Sequence, residues 1–145
     1  MILISLLLQF YNFFHYLRLF FLNSGLQLVL FEKNFTRNYI HIDDVAMTFD
    51  FCINNHKKVN NDKFNVGLTS ANLTKLQLAE KIKKHIPSLE IILSEFSKDP
   101  DKRDYLISNE KLEKTGWIPR KTLDDGIKEL IKCYNLINVN NHANI

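Results

Sequence analysis

Residues 36–46 constrain the fold most, because a β-prone run turns into a helix within them. The stretch reads TRNYIHIDDVA. Tyr39, Ile40 and Ile42 favour a pleated strand, and Asp43 or Asp44 can cap the first free amides of a helix. The stretch therefore predicts a strand that is followed directly by a helix.

Alternating strands and helices continue along the chain and predict an α/β fold. Strands are expected at residues 28–31, 63–67 and 90–94, and helices after Asp43, after Thr74, over residues 109–114 and after Thr122. Two capping boxes, Thr74 with Gln77 and Thr122 with Asp125, mark helix starts. Gly116 is expected to end the helix at 109–114.

The first of these helices carries an apolar stripe, which predicts that one side packs against the core. The stripe is Val45, Phe49, Cys52 and Ile53, at helical spacing. Cys133 falls in a similar pattern in the last helix. Isolated cysteines in apolar patterns indicate reduced core residues of a cytoplasmic protein, rather than a disulfide or a metal pair.

Composition is typical of a soluble globular protein of one domain. The 145 residues are 46% apolar and 24% charged, with a net charge of +3. Much of that charge lies on Lys75, Lys81, Lys83 and Lys84 of one predicted helix. Aromatic residues do not interleave with these lysines, so they indicate a solvated helix face and no nucleic-acid partner.

The N-terminal residues 1–22 are apolar and long enough to cross a hydrocarbon core. Three interpretations stay open: a buried helix exposed by truncation, a membrane anchor, or residues that belong to no folded domain. The predicted domains are a helical apolar segment at 1–25, a domain at 26–136 and a disordered polar tail at 137–145. A cytoplasmic location is expected, with membrane association through residues 1–22 as the alternative.

Four motifs, in this order along the chain, carry a family resemblance. They are RNYIHIDD at residues 37–44, FNVG at 64–67, KRDY at 102–105 and GWIP at 116–119. Together they resemble the C-terminal part of the extended short-chain dehydrogenase/reductase family, the sugar-nucleotide epimerases and dehydratases. The resemblance covers most of the chain from Leu28 to Tyr134. It implies an α/β substrate-binding portion that lacks the N-terminal Rossmann half.

The cofactor and catalytic motifs of that family are missing from this sequence. None of its four glycines belongs to a G-x-x-G-x-x-G or G-x-G-x-x-G motif. Four residues after its five tyrosines, where the family has a lysine, stand His15, Phe20, Asp43, Asn109 and Asn138. The resemblance therefore implies NAD or NADP in full-length relatives, but no cofactor and no catalytic residue retained by this chain alone.

The resemblance also implies substrate-binding residues. In the family, the arginine of the motif at 37–44 helps to hold the diphosphate of a nucleotide sugar, which points to Arg37. A second cation comes from a later loop, which points to Arg103 or its neighbour Lys102. A guanidinium is always charged and its planar fork matches phosphate oxygens. The alternatives are an exposed Arg37 paired with Glu32 or Asp44, and a charged surface loop around Arg103.

The remaining polar motifs have structural interpretations. His41 and Asp43 alternate onto one strand face, but a third ligand at a plausible spacing is missing from the sequence. They predict a hydrogen-bonded histidine beside a helix cap and no metal. Asn65 and Gly67 are expected to shape a strand end near the substrate pocket, and Trp117 to bury a large apolar surface.

Three functional hypotheses remain open from the sequence. The first is a remnant or split part of an NAD(P)-dependent nucleotide-sugar epimerase/dehydratase, which contacts a nucleotide-diphosphate sugar and pairs with a separate Rossmann-containing chain. The second is a small membrane-anchored binding protein that uses residues 1–22 as its anchor. The third is a soluble, non-catalytic nucleotide-sugar binder.

Overall fold

A computed structural model of the chain describes residues 20–22, 25–94 and 103–136. In chain order the elements are β1 (Phe20–Leu22), β2 (Gly25–Leu30), β3 (Thr36–Asn38), α1 (Ile42–Asn54), α2 (His56–Val59), a 3-10 turn (Thr69–Ala71), β4 (Asn72–Thr74), α3 (Lys75–His85), β5 (Leu89–Leu93), α4 (Glu110–Glu113) and α5 (Leu123–Leu136). Strands and helices alternate, so the predicted α/β class is confirmed.

The described residues divide into two compact units. The first unit contains residues 20–34 and 75–94, and the second unit contains residues 35–74 and 103–136. Each unit is therefore built from stretches that are separated in sequence. Both units draw on the range 26–136 that the sequence suggests as one domain.

A three-stranded sheet in the order β1-β2-β5 organises the first unit. β1 and β2 pair antiparallel, while β2 and β5 pair parallel with Leu28 opposite Ile91. Helix α3 packs its apolar side on this sheet, so Ala79 joins Leu28 and Leu89 in the buried cluster. Removal of these side chains from water is what stabilises the unit.

The second unit is built on the antiparallel pair β3-β4 and on short helices. Arg37 lies opposite Leu73, and Asn38 lies opposite Asn72. The buried apolar side chains of this unit come from α1, the 3-10 turn, α4, α5 and two loops, and are Ile40, Val45, Ala71, Leu112, Trp117 and Ile127. Trp117 is 3% exposed, which confirms its predicted burial.

Local signals set the helix ends of the second unit. At the start of α5, Thr122 Oγ1 accepts from Asp125 N at 3.1 Å, and Asp125 Oδ2 accepts from Thr122 N at 2.9 Å. This reciprocal pair is the predicted capping box. Gly116 follows α4 with φ of +99°, a conformation that L side chains rarely adopt, so the predicted end of that helix is also confirmed.

Three sequence expectations about elements are wrong. Residues 20–22 and 25 lie in β1 and β2 rather than in a helix, because hairpin pairing satisfies their backbone groups. Residues 63–67 are irregular rather than a strand. The third concerns the apolar stripe of α1: the buried residues of this helix are Asp44, Val45 and Thr48 rather than the whole predicted stripe.

Of the predicted α1 stripe, Phe49 and Ile53 are exposed at 48% and 73%, whereas Cys52 is partly buried and Val45 is buried. Both cysteines are free thiols, as expected, but Cys133 is exposed instead of buried in the core. Among the described residues, no helix has the length and apolarity that a membrane crossing needs. The membrane-anchor hypothesis concerns residues 1–22, of which 1–19 lie outside the described part, as do residues 137–145.

Candidate functional site

The candidate site is formed where residues 103–109 run beside strand β3. Asp104 Oδ1 accepts from Thr36 N at 2.8 Å, and Tyr105 N donates to Thr36 O at 3.3 Å. Both polar groups of the Thr36 backbone are thereby used by this segment. Because Arg37 follows Thr36 and Arg103 precedes Asp104, the structure brings the two predicted arginine-bearing segments together.

Arg37 is enclosed by aromatic rings and is only 7% exposed. Its Cζ lies 5.9 Å from the centre of the Phe35 ring and 5.4 Å from the centre of the Tyr105 ring. Its Nη1 donates to Thr36 O at 2.9 Å. These contacts hold the guanidinium in one position. The alternative of an exposed Arg37 is therefore wrong.

Tyr39 lies in the same environment and stays a neutral phenol. Burial away from water raises the pKa of its hydroxyl far above the ordinary value, and the charge of Arg37 lowers it only in part. Its backbone N donates to Ala71 O at 3.1 Å, which ties the residue to the 3-10 turn. A protonated Tyr39 can donate a hydrogen bond to a ligand, but it does not serve as a base.

Arg103 is exposed, whereas its neighbours in the segment alternate in burial. Tyr105 and Ile107 are partly buried and Asn109 is buried, while Asp104, Leu106 and Ser108 are exposed. This period of two is typical of an extended segment. Arg103 and Tyr105 are two residues apart, so this period puts them on the same side of the segment, and the Tyr105 ring contacts Arg37. The predicted site residue Lys102 lies outside the described residues and stays a prediction.

A group of buried amides lies behind the site. The side chain of Asn38 donates to Leu68 O at 2.8 Å and accepts from Leu68 N at 3.0 Å. Gly67 packs against it so closely that an added Cβ would lie 2.3 Å from Asn38 Oδ1 and 2.8 Å from Asn109 Oδ1. Residues 63–67 are not a strand, so the prediction that Gly67 shapes a strand end is wrong. The residue is needed for space.

The N-cap of α1 is His41, not Asp43 or Asp44. His41 Nδ1 accepts from Asp43 N at 3.1 Å, so the ring proton is on Nε2, which faces Glu129 Oε2 at 2.9 Å. The sequence analysis missed Glu129 because it lies 88 residues further along the chain. Gly126 makes room for the ring, since an added Cβ there would lie 3.3 Å from His41 Cδ2.

His41, Asp43 and Glu129 offer ligand atoms within 4.8 Å of one another, a spacing that suits a metal ion. Protein hydrogen bonds already use both ring nitrogens, however. The ammonium group of Lys121 binds the other oxygen of Glu129. This bond, and after it the bond from His41, lowers the pKa of Glu129. The arrangement is a charge network that ties α5 to the start of α1, and its hydrogen bonds are made without an ion.

Asp44 has a different task from the one the sequence suggests. It is 1% exposed, and its carboxylate accepts from Arg120 N at 2.8 Å and from Lys121 N at 3.0 Å. These amides belong to the loop that follows Trp117. Asp44 therefore fixes the path between α4 and α5 instead of the N-terminus of its own helix.

No family model matches the chain. Among solved structures, it is similar to a GDP-D-glycero-L-gluco-heptose synthase from Campylobacter jejuni, whose crystal structure was determined in the presence of NADPH. The TM-score is 0.60 and the sequence identity is 22%. The match covers 75% of this chain and 33% of the synthase, so this chain spans about a third of the length of that enzyme.

This similarity is one of fold. The chain shares its α/β fold with part of that synthase.

Proposed function

We propose that this chain is the substrate-binding, C-terminal portion of a nucleotide-sugar epimerase or dehydratase, and that Arg37 and Arg103 bind the diphosphate. One observation carries the proposal. The backbone of Thr36 bonds to Asp104 and Tyr105, so the two arginine-bearing segments form one local structure. Two cations from separate segments suit the charge of a diphosphate.

The two arginines have different tasks in this proposal. The cation–π contacts of Arg37 do not use its N–H donors, which lie in the plane of the guanidinium. Ring contacts on Arg37 are therefore compatible with phosphate oxygens bound at its edge. Arg103 is exposed and makes the first contact with an incoming anion. A cation that the protein already holds in place loses little conformational freedom on binding.

The hydride chemistry of such an enzyme lies outside this chain. The sequence contains neither a glycine-rich dinucleotide turn nor a tyrosine followed four residues later by lysine. NAD or NADP would supply the hydride step, and a separate chain with a Rossmann domain would hold that cofactor. Within the proposal, this chain binds and orients the nucleotide sugar and is inactive alone.

Titration of the purified 145-residue chain with GDP, followed by calorimetry, tests the site. We expect Arg103→Ala to weaken GDP binding by about tenfold, because an ionic hydrogen bond contributes about that much. Arg37→Lys keeps the charge but loses the planar fork, and we expect a similar loss. Arg120→Ala is the matched control, since it removes an exposed arginine of the same unit.

Two results would overturn the proposal. The first is no heat of binding with millimolar GDP and the natural chain. The second is a loss of less than threefold in both Arg103→Ala and Arg37→Lys. An equal loss in Arg120→Ala would show a general effect of net charge and would count against a specific site.

A further inference from the structure

The side chain of Asn72, on strand β4, holds residues 103–109 by their backbone. Asn72 Oδ1 accepts from Ile107 N at 3.1 Å, and Asn72 Nδ2 donates to Ile107 O at 2.9 Å. A primary amide offers a donor and an acceptor in one plane, as the backbone of a neighbouring strand does. Asn72 thus continues the pairing that Thr36 begins at Asp104 and Tyr105.

We infer that Asn72 is a positioning residue that keeps Arg103 beside Arg37, an inference that rests on the proposed diphosphate site. Residues 104–107 are fixed at both ends, by Thr36 at one end and by Asn72 at the other. Arg103 extends from the fixed end. Its side chain can face Arg37 and the Tyr105 ring only while residues 104–107 keep their pairing with Thr36 and Asn72.

The amide of Asn72 is itself oriented by a neighbour. Asn38 Nδ2 donates to Asn72 Oδ1 at 3.1 Å, while the side chain of Asn38 also forms hydrogen bonds with the backbone of Leu68. The oxygen of Asn72 therefore faces two donors, and its nitrogen is left to meet the carbonyl of Ile107. An aspartate would keep both accepted bonds and place a negative oxygen against Ile107 O. Alanine would lose all three bonds.

A second amide supports the segment further along. Asn65 Nδ2 donates to Ser108 O at 3.2 Å. This bond is single and exposed, whereas Asn72 makes a paired contact that is partly buried. The effect of Asn65 should therefore have the same sign as that of Asn72 and be smaller. The resemblance from sequence pointed to Asn65 and Gly67 near this place, but not to Asn72.

The test combines GDP binding with a double-mutant cycle on the full chain. We expect Asn72→Ala to weaken GDP binding by about tenfold, and Asn72→Asp to weaken it at least as much, because its carboxylate faces Ile107 O and repels the anion. In an Arg103→Ala background we expect Asn72→Ala to weaken GDP binding further by no more than about twofold. The arginine that Asn72 positions is already absent from that background. Asn54→Ala, an exposed asparagine on α1, is the matched control with unchanged affinity.

Limited trypsin digestion gives a readout that does not depend on the ligand. Cleavage after Arg103 should be several-fold faster in Asn72→Ala than in the natural chain, because a released segment reaches the protease more easily. Fluorescence of Trp117, the single tryptophan, shows whether each variant is folded. Should Asn72→Ala fail to fold, Asn72→Asp and Asn65→Ala take its place in the same cycle.

The outcomes separate this inference from the function on which it rests. If the natural chain does not bind GDP, both ideas fail. If it binds GDP and Arg103→Ala loses affinity while Asn72→Ala does not, only the role of Asn72 is overturned. Equal losses from Asn72→Ala with and without Arg103 would also overturn it, since that result indicates a general structural role.

Discussion

In the second unit, two single residues matter because one leaves space for neighbouring side chains and the other accepts hydrogen bonds from distant backbone amides. Gly67 leaves room for the side chains of Asn38 and Asn109. Asp44 accepts bonds from two loop amides that are far from it in sequence. Neither role depends on a ligand, so both can be measured as stability.

Gly67→Ala should destabilise the chain by about 1–3 kcal/mol, the usual cost of overpacking a filled interior. The added Cβ would lie 2.3 Å from Asn38 Oδ1, and two bonds to Leu68 prevent that side chain from moving away. Urea unfolding followed by Trp117 fluorescence measures the change. The control is Ser70→Ala at an exposed neighbour, expected within about 0.5 kcal/mol of the natural chain. A similar small change for Gly67→Ala would contradict the packing described.

At the scale of elements, carboxylates hold α5 in place. Bonds from Thr122 lower the pKa of Asp125, and the bonds from Lys121 and His41 lower the pKa of Glu129. A carboxyl group with a lower pKa in the folded state stabilises the fold above its unfolded pKa. That stability is lost as the pH falls through the folded pKa. Unfolded carboxyl groups titrate at about 4.

The free energy of unfolding of the second unit should therefore fall as the pH drops below about 5. Glu129→Gln removes one of these titrations, so the slope of that free energy against pH becomes shallower. Lys121→Gln should act in the same direction, because it removes the main cause of the shift. Urea unfolding of each variant at several acidic pH values gives the slopes. Unchanged slopes in both variants would refute the role of this network.

Sequence signals predicted the end of α4 and the start of α5, because their causes are local, but not the N-cap of α1, which is His41 rather than Asp43 or Asp44. Thr122 and Asp125 are three residues apart, and Gly116 follows its helix directly. The anchors of residues 103–109 could not be predicted in this way, since Asn72 and Asn65 lie 35 and 43 residues from their backbone partners. The same holds for Glu129 beside His41. In the candidate site, the sequence motifs predicted Arg37 and Arg103, whereas the structure was needed to find the groups that position them.

At the scale of the whole molecule, an apolar surface remains on α1. Ile42, Phe49 and Ile53 are 50%, 48% and 73% exposed and lie at helical spacing along one side. Of the predicted stripe Val45, Phe49, Cys52 and Ile53, only Val45 is buried, together with Asp44 and Thr48. The spacing of apolar residues predicted that α1 has an apolar face, but not which side of the helix is buried. That side depends on the loop amides that Asp44 binds.

Replacing a residue of this surface should reduce its affinity for apolar dyes without unfolding the chain. Ile53→Lys at the most exposed position should lower the fluorescence of bound anilinonaphthalene sulfonate. It should also leave the free energy of unfolding within about 0.5 kcal/mol. Val45→Lys is the contrasting variant, since Val45 is only 8% exposed and its replacement should unfold the second unit. Unchanged dye binding by Ile53→Lys would show that the surface is covered.

The interleaving of the two units has a practical consequence for anyone who wants to express one of them. A stop codon after position 74 would leave β2 without its parallel neighbour, and a start at position 75 would leave α3 and β5 without β2. A shorter gene for the second unit must instead join 74 to 103 through a designed linker. Trimming from either terminus therefore cannot yield one unit free of residues of the other.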